Sequence, residues 1–201
     1  MPRSVKNIVW TIALSCCAGS TLAQSTETVS GADMGFRETP TLVETFTFKT
    51  FDPNVLEYHI FRLTNDERRK HGLAPFKYDA RLHKSARRHS IEMITLDYFS
   101  HDSPTEKNKT VSMRIEQQGY RWRACSENIS ASSGSSSRAL PPQRYDDVAK
   151  GIVDGWMNST GHRANILQTD ATDMGVGVAV VYTEKSYRLK ATQNFGALLE
   201  P

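Results

Sequence analysis

The chain has 201 residues, 38% hydrophobic and 23% charged, with 25 basic against 22 acidic side chains. That length fits one domain plus additional segments, and the composition is globular rather than collagenous or coiled-coil. A net charge of +3 is too small for a dedicated nucleic-acid binder, which gathers basic residues on one face.

The chain opens with Arg3 and Lys6, then a short apolar run from Ile8 to Ala18, then Thr21-Leu22-Ala23. This is the order of a secretory signal peptide with cleavage after Ala23. The run is shorter than the roughly 20 apolar residues a bilayer span needs. A membrane-retained anchor is the alternative. Ala13-Leu14-Ser15-Cys16 is a poor lipoprotein cleavage site, with Ala where a branched aliphatic is preferred. Of the three cysteines only Cys125 lies beyond this segment, so the remaining chain has no internal disulfide and no Cys-based metal site. Cys125 sits in a strand-like stretch and is expected to be a buried, inert thiol. The expected division is a signal peptide over 1–23, an extended arm over 24–52, rich in Thr, Ser, Gly and Glu, and a folded domain over 53–201.

In the domain, Asp52-Pro53 is an N-cap followed by a proline at the first helical position. Leu56, Ile60 and Leu63 repeat at helical spacing, and Gly72 ends the helix. Residues 73–78 form a short extended link. Asp79 caps a second helix with the stripe Leu82, Ala86, His89 and Met93, opposite a solvated face of Arg81, Lys84 and Arg88. Residues 99–104 are irregular. Residues 112–118 form a short helix stopped by Gly119, and 120–130 are extended. The Ser- and Pro-rich stretch 131–143 is expected to be a mobile loop. Asp146 or Asp147 caps a fourth helix carrying Val148, Ile152 and Trp156, which Gly161 breaks. Val176, Val178 and Val180 then alternate up to a turn at 183–186. Tyr187, Leu189, Ala191, Gln193 and Phe195 alternate after it, completing a β-hairpin. Helices come first and strands late, which gives an α+β class with an antiparallel sheet.

Of the six histidines, His59, His71 and His83 are expected to be solvated, and His89 to be a satisfied core residue. His101 and His162 stand just outside helices in Ser/Pro/Gly surroundings, where side chains point into grooves. Glu127 is an acid among small and apolar neighbours. Two imidazoles and a carboxylate suit a divalent metal with open positions. The same trio also suits a hydrogen-bonded cluster bracing the fold, and spacing alone does not choose.

Asn65-Asp66-Glu67-Arg68, Gly72-Leu73-Ala74-Pro75, Phe99-Ser100-His101, Glu127-Asn128-Ile129, Trp156 to Leu167, Gly175-Val176-Gly177 and Gln193-Asn194-Phe195-Gly196 follow one another in order. In this order they resemble a CAP or SCP domain, the superfamily of cysteine-rich secretory proteins, antigen 5 and plant pathogenesis-related proteins, in its disulfide-free bacterial style. The resemblance runs from Val55 to Gly196. It implies a three-layer α-β-α sandwich with a small antiparallel sheet, and a groove lined by two His and two acidic residues. On this chain those positions fall on His101, Glu127 and His162, with Ser159 where the second Glu stands and Asn128 beside the groove. Ser126 also replaces the Gly before the motif Glu. Asp154 or Asn158 substitutes for the missing acid only if the helix phase allows.

The resemblance implies a secreted binding or signalling module, non-catalytic, with an unidentified extracellular lipid, peptide or protein ligand. No cofactor is required, and a divalent cation such as zinc is expected to bind only weakly at His101, His162 and Glu127. No nucleic-acid partner is expected, nor integral membrane insertion; a Gram-negative source would make the protein periplasmic. The alternative is a metal-dependent hydrolase or peptidase using the same groove, although no Ser–His–Asp set or H-E-x-x-H helix is present. A third option is a structural protein whose trio only buttresses the fold. Sterol binding is disfavoured, because 131–143 contains no aromatic residue. Asn108, Asn128 and Asn158 head glycosylation sequons, relevant only in a eukaryotic source.

Overall fold

The computed structural model describes residues 45–47, 50–135, 143–183 and 186–199. The expected signal peptide, most of the arm and residues 136–142 lie outside them. Among the described residues, no helix is long and apolar enough to cross a membrane.

Local signals place the first two helices. In α1 (Pro53–Lys70) the Asp52 side chain accepts the Asn54 N–H at 2.8 Å, satisfying a donor that the first turn otherwise leaves unpaired. Gly72 follows the helix with φ +71°, the left-handed region that glycine enters without strain. Asp79 caps α2 (Ala80–Thr95) through the Arg81 and Leu82 N–H groups. Helix α3 (Val111–Glu116) follows a 3-10 turn at Glu106–Asn108. Helix α4 spans Tyr145–Met157 and α5 spans Thr160–Leu167.

Three of these boundaries correct the expectation. Asp146 and Asp147 lie inside the first turn of α4, where carboxylates complement the helix dipole, and Arg144 holds the cap position without a side-chain bond. Gly161 lies within α5, and the break falls one step earlier, at Asn158-Ser159. Two residues of the expected arm form β1 (Thr45–Phe46), antiparallel to β4 (Gln143–Arg144).

The main sheet has the order β2-β5-β6-β3. Strands β3 (Trp122–Ser135), β5 (Asp173–Tyr182) and β6 (Ser186–Leu198) are antiparallel, and β2 (Lys77–Tyr78) adds a short parallel edge. Strand β3 runs five residues into the stretch expected to be a loop. Residues 131–135 pair with β6 down to Ser135 opposite Ser186. Low complexity gives way here to a waiting partner strand, and the missing Cβ of Gly134 leaves room for the Tyr187 ring.

Strand alternation divides the molecule into three layers. Met174, Val176, Val178, Leu189, Ala191 and Phe195 face α1, α4 and α5, where they meet Leu56, Ile60, Ile152, Trp156 and Ile166 in the main core. The opposite face carries Gly175, Gly177, Thr192 and Asn194 against α2. A Cβ on Gly175 would lie 1.9 Å from the His83 backbone nitrogen, and one on Gly177 1.9 Å from that of Arg87. The Gly-Val-Gly motif therefore lets a helix backbone rest directly on a strand. Ser90 locks the contact by donating to the Gly177 carbonyl at 2.9 Å and meeting the Thr192 hydroxyl at 2.8 Å.

Two histidines expected in solvent are packed instead. His59 is fully buried, 3.4 Å from Asp146 and stacked on Tyr145. His83 is mostly covered and donates from Nδ1 to the Val176 carbonyl at 2.7 Å; burial pushes its pKa down to about 4. Glu57 of α1 is also fully buried. It accepts Arg87 Nε at 2.8 Å and the Val178 N–H at 2.7 Å, joining α1, α2 and β5. Burial nonetheless pushes its carboxyl up to about 7.

Gly177→Ala is expected to destabilise the fold by about 1–3 kcal/mol or more, because the methyl meets unyielding backbone. Gly155→Ala, with open space at its Cβ on exposed α4, should instead stabilise by about 0.4–1 kcal/mol. Urea unfolding of both variants checks the contrast.

Candidate functional site

Glu127 and Asn128 are neighbours on β3, so their side chains leave opposite faces of the sheet. Their partners on β6 are Asn194 and Gln193, and each pair organises one side of the sheet.

On the α2 and α3 side, the Glu127 side chain is 2% exposed and surrounded by donors. Oε2 accepts Arg114 Nη2 at 2.7 Å. It also accepts the Asn194 amide at 3.0 Å, in the orientation where the Asn194 oxygen takes Ser85 Oγ and the Ala86 N–H. Oε1 accepts His101 Nδ1 at 2.9 Å, and His89 Nε2 lies 3.7 Å away. Arg114 is 4% exposed and also donates to the carbonyls of His101, Asn108 and Lys109. One guanidinium thus neutralises the carboxylate and shapes the loop that carries His101.

On the α4 and α5 side, Asn128 is fully buried and donates to the His162 carbonyl at 3.1 Å and to Gln193 Oε1 at 3.3 Å. Asn165 of α5 donates to Asn128 Oδ1 at 2.9 Å and to the Glu127 carbonyl at 3.2 Å. Trp156 Nε1 donates to the Ile129 carbonyl at 3.0 Å. These bonds occupy outer carbonyls of the edge strand β3 and pin α5, with His162 near its start, alongside it.

The structure thus joins His101 directly to Glu127. His162 lies on α5, across the strand, and interacts electrostatically with His101. The Glu127 hydrogen bond raises the His101 pKa above the ordinary imidazole range. Burial, and then the nearby His101, lowers that of His162. His101 is about half exposed and turns Nε2 away from the carboxylate. Ser159 caps α5 by position, with its hydroxyl making no capping bond. Asp154 pairs with Lys150, and Asn158 is exposed, so neither supplies the second acid that the resemblance implies. Buried Asn128 has no surface for a glycan.

His89 is the satisfied core histidine expected. Its Nε2 donates to the Ser100 carbonyl at 3.1 Å, and burial lowers its pKa. It also walls the Glu127 cluster, which its helical stripe did not reveal. Arg114 and Asn194 were missed as well. An Arg within an amphipathic six-residue helix and an Asn within a strand carry no local mark of a partner elsewhere in the chain. Cys125 is half-buried rather than buried, and burial first, then Glu116 and Glu127, raise its thiol pKa. The inert-thiol expectation is compatible with that environment.

A metal at this site needs ligands that face one point. Among the described residues no group of three or more His, Cys, Asp or Glu side chains is so arranged. Both Glu127 oxygens already face protein donors. The donor set therefore does not fit an ion held by Glu127.

The profile of the Cysteine-rich secretory protein family, CAP, matches residues 61–195. The chain belongs to the CAP family. Its motif residues now have physical roles. Asn65 exchanges two hydrogen bonds with the Phe76 backbone. Arg68 donates to the carbonyls of Ala74, Ile166 and Gln168 and lies over the Phe76 ring. The CAP chain is 34% identical over 159 residues to the uncharacterized protein YkwD of Bacillus subtilis (strain 168), covering 77% of this chain and 56% of that protein. It is 34% identical over 131 residues to the uncharacterized membrane protein YlbC of the same strain, covering 65% of this chain and 34% of that one. The chain thus spans about half the length of the first relative and a third of the second. A solved extracellular protein containing an SCP domain, from Bacillus anthracis str. Ames, is 37% identical with a TM-score of 0.54, covering 72% of this chain and 41% of that one. An outer surface protein from Borrelia burgdorferi shares the fold at 16% identity, with a TM-score of 0.59, covering 74% of this chain and 97% of that one.

Two expectations follow. Arg114→Ala should destabilise by about 3–5 kcal/mol, because it strands a buried carboxylate; chemical denaturation measures this. In an NMR titration, His101 should titrate above about 6.5 and His89 and His162 below it. Because His101 is raised, its pairing stabilises the fold below that value, and the contribution is lost as pH rises through the folded-state pKa. Glu127→Gln should bring the His101 pKa down.

Proposed function

We propose that this CAP domain is an extracellular binding module that meets its ligand between His101 and His162, with Glu127 bracing the groove. The observation that carries this is the burial and engagement of Glu127: its side chain is 2% exposed and both oxygens accept from protein donors. A general base or a metal-activating carboxylate needs a lone pair open to the reacting group. Among the described residues, neither His101 nor His162 hydrogen-bonds a serine, threonine or cysteine side chain, so a nucleophile–base pair has no support here. The extracellular character of the Bacillus anthracis relative agrees with the signal-like start of this chain. The imidazoles offer a ligand one hydrogen-bonding surface that is donating when protonated and accepting when neutral. A divalent cation such as zinc is then a weak, secondary ligand of the two imidazoles alone.

Zinc titration by calorimetry tests this assignment, with His101→Ala, His162→Ala and Glu127→Gln in parallel. Weak binding is expected at pH 7.5, lost in either histidine variant, and falling below about pH 6 as imidazoles protonate. Glu127→Gln should keep that binding. If a folded Glu127→Gln variant loses it, or if zinc-dependent peptide hydrolysis appears and vanishes with Glu127→Gln, the carboxylate is functional and the bracing role fails.

A further inference from the structure

A separate cavity of about 120 Å³ opens between α2 and the 3-10 turn that leads into α3. It has room for several water molecules or one small polyatomic group. Arg114 and His89 lie in its wall, but His101, Glu127 and His162 do not. None of its lining side chains is aliphatic, so nothing there favours an apolar ligand.

Its charges point one way. Arg88 comes from α2, Lys107 from the 3-10 turn and Arg114 from α3. Arg114 is held by Glu127 and three carbonyls, and its Nε–H has no acceptor among the described residues. Arg88, Lys107 and the Gln118 amide make no side-chain hydrogen bond or ion pair with described residues. The single lining acid, Glu92, already accepts Tyr98 Oη and Asn108 Nδ2 at 2.9 Å each. A cation entering here would find that carboxylate engaged and cationic side chains around it. An anion would find free donors from more than one direction.

We propose that this cavity binds a phosphate group, with Arg88, Lys107 and Gln118 as the direct donors. A tetrahedral oxyanion offers acceptors on several sides at once, matching donors carried by separate elements. Arginine pairs with such groups through two parallel N–H bonds, and lysine adds a point charge. A planar carboxylate has only two oxygens to offer, fewer than the donors present. The phosphate comes either from the free ion or from an organic phosphomonoester. The proposal is independent of the His101–His162 groove, since the two share only wall residues.

Calorimetric titration of the purified protein at constant ionic strength, held with chloride, tests it. The probes are inorganic phosphate, glycerol 3-phosphate and acetate. Saturable binding of inorganic phosphate or glycerol 3-phosphate is expected, with acetate much weaker. A stronger response to one phosphate probe tells free ion from ester. Arg88→Gln combined with Lys107→Gln should weaken binding about tenfold or more. Both side chains are exposed, so the variant should fold, and circular dichroism checks that it does. Binding should persist in His101→Ala, which separates this site from the groove. Absence of saturable binding by both phosphate probes, equal binding of acetate, or unchanged affinity in the folded double variant overturns the proposal.

Discussion

Everything at this end of the molecule follows from one buried carboxylate. A buried carboxyl group cannot stay out of water without hydrogen-bond partners, and the chain supplies donors to Glu127 from three elements. Arg114 comes from α3, Asn194 from β6 and His101 from the loop after α2, while His89 of α2 stands 3.7 Å away with its Nε2–H given to the Ser100 carbonyl. Each donor fixes its own element relative to β3. Arg114 adds three loop carbonyls, so the loop after α2 has little freedom left. The exposed imidazole of His101 is thereby held in place by a buried group.

The edge strand β3 works on two faces and along its rim. One face carries Glu127 to the α2 layer, and the other carries Asn128 to the α5 layer. The rim is closed at Glu127 and Ile129 by Asn165 and Trp156. An uncovered edge strand invites another chain to pair with it; here side chains take the carbonyls that such a chain would seek. Two helical layers thus meet around this strand edge, with the residues bonded to Glu127 on one side and α5 on the other.

Much of the frame was legible in the sequence because its signals are local. Asp52-Pro53, Asp79, Gly72 and Gly119 mark helix ends within a few residues of where the chain turns, and the valine alternation marks the hairpin. Residue context singled out His101, Glu127 and His162, but only the ordered resemblance implied that they belong together. What stayed hidden depends on distant partners. The extension of β3 through 131–135 needed β6 beside it. The burial of His59 needed Tyr145 and Asp146 from α4. Arg114 and Asn194 look ordinary until the sheet register places them against Glu127. The two glycines of Gly-Val-Gly were visible as a motif, but the reason, a helix backbone resting on them, belongs to three dimensions.

The pairing of β3 with β6 also sets an order of events in folding. Trp122 lies opposite Leu198, and Glu127 lies opposite Asn194, so β3 waits unpaired while α4, α5 and β5 are still being made. Contacts this far apart in sequence close late and slowly, after the entropy of the intervening loop has been overcome. A chain emerging N-terminus first can form α1 and α2 early, yet β3 has no partner until β6 arrives. Glu127 remains without its Asn194 partner until then.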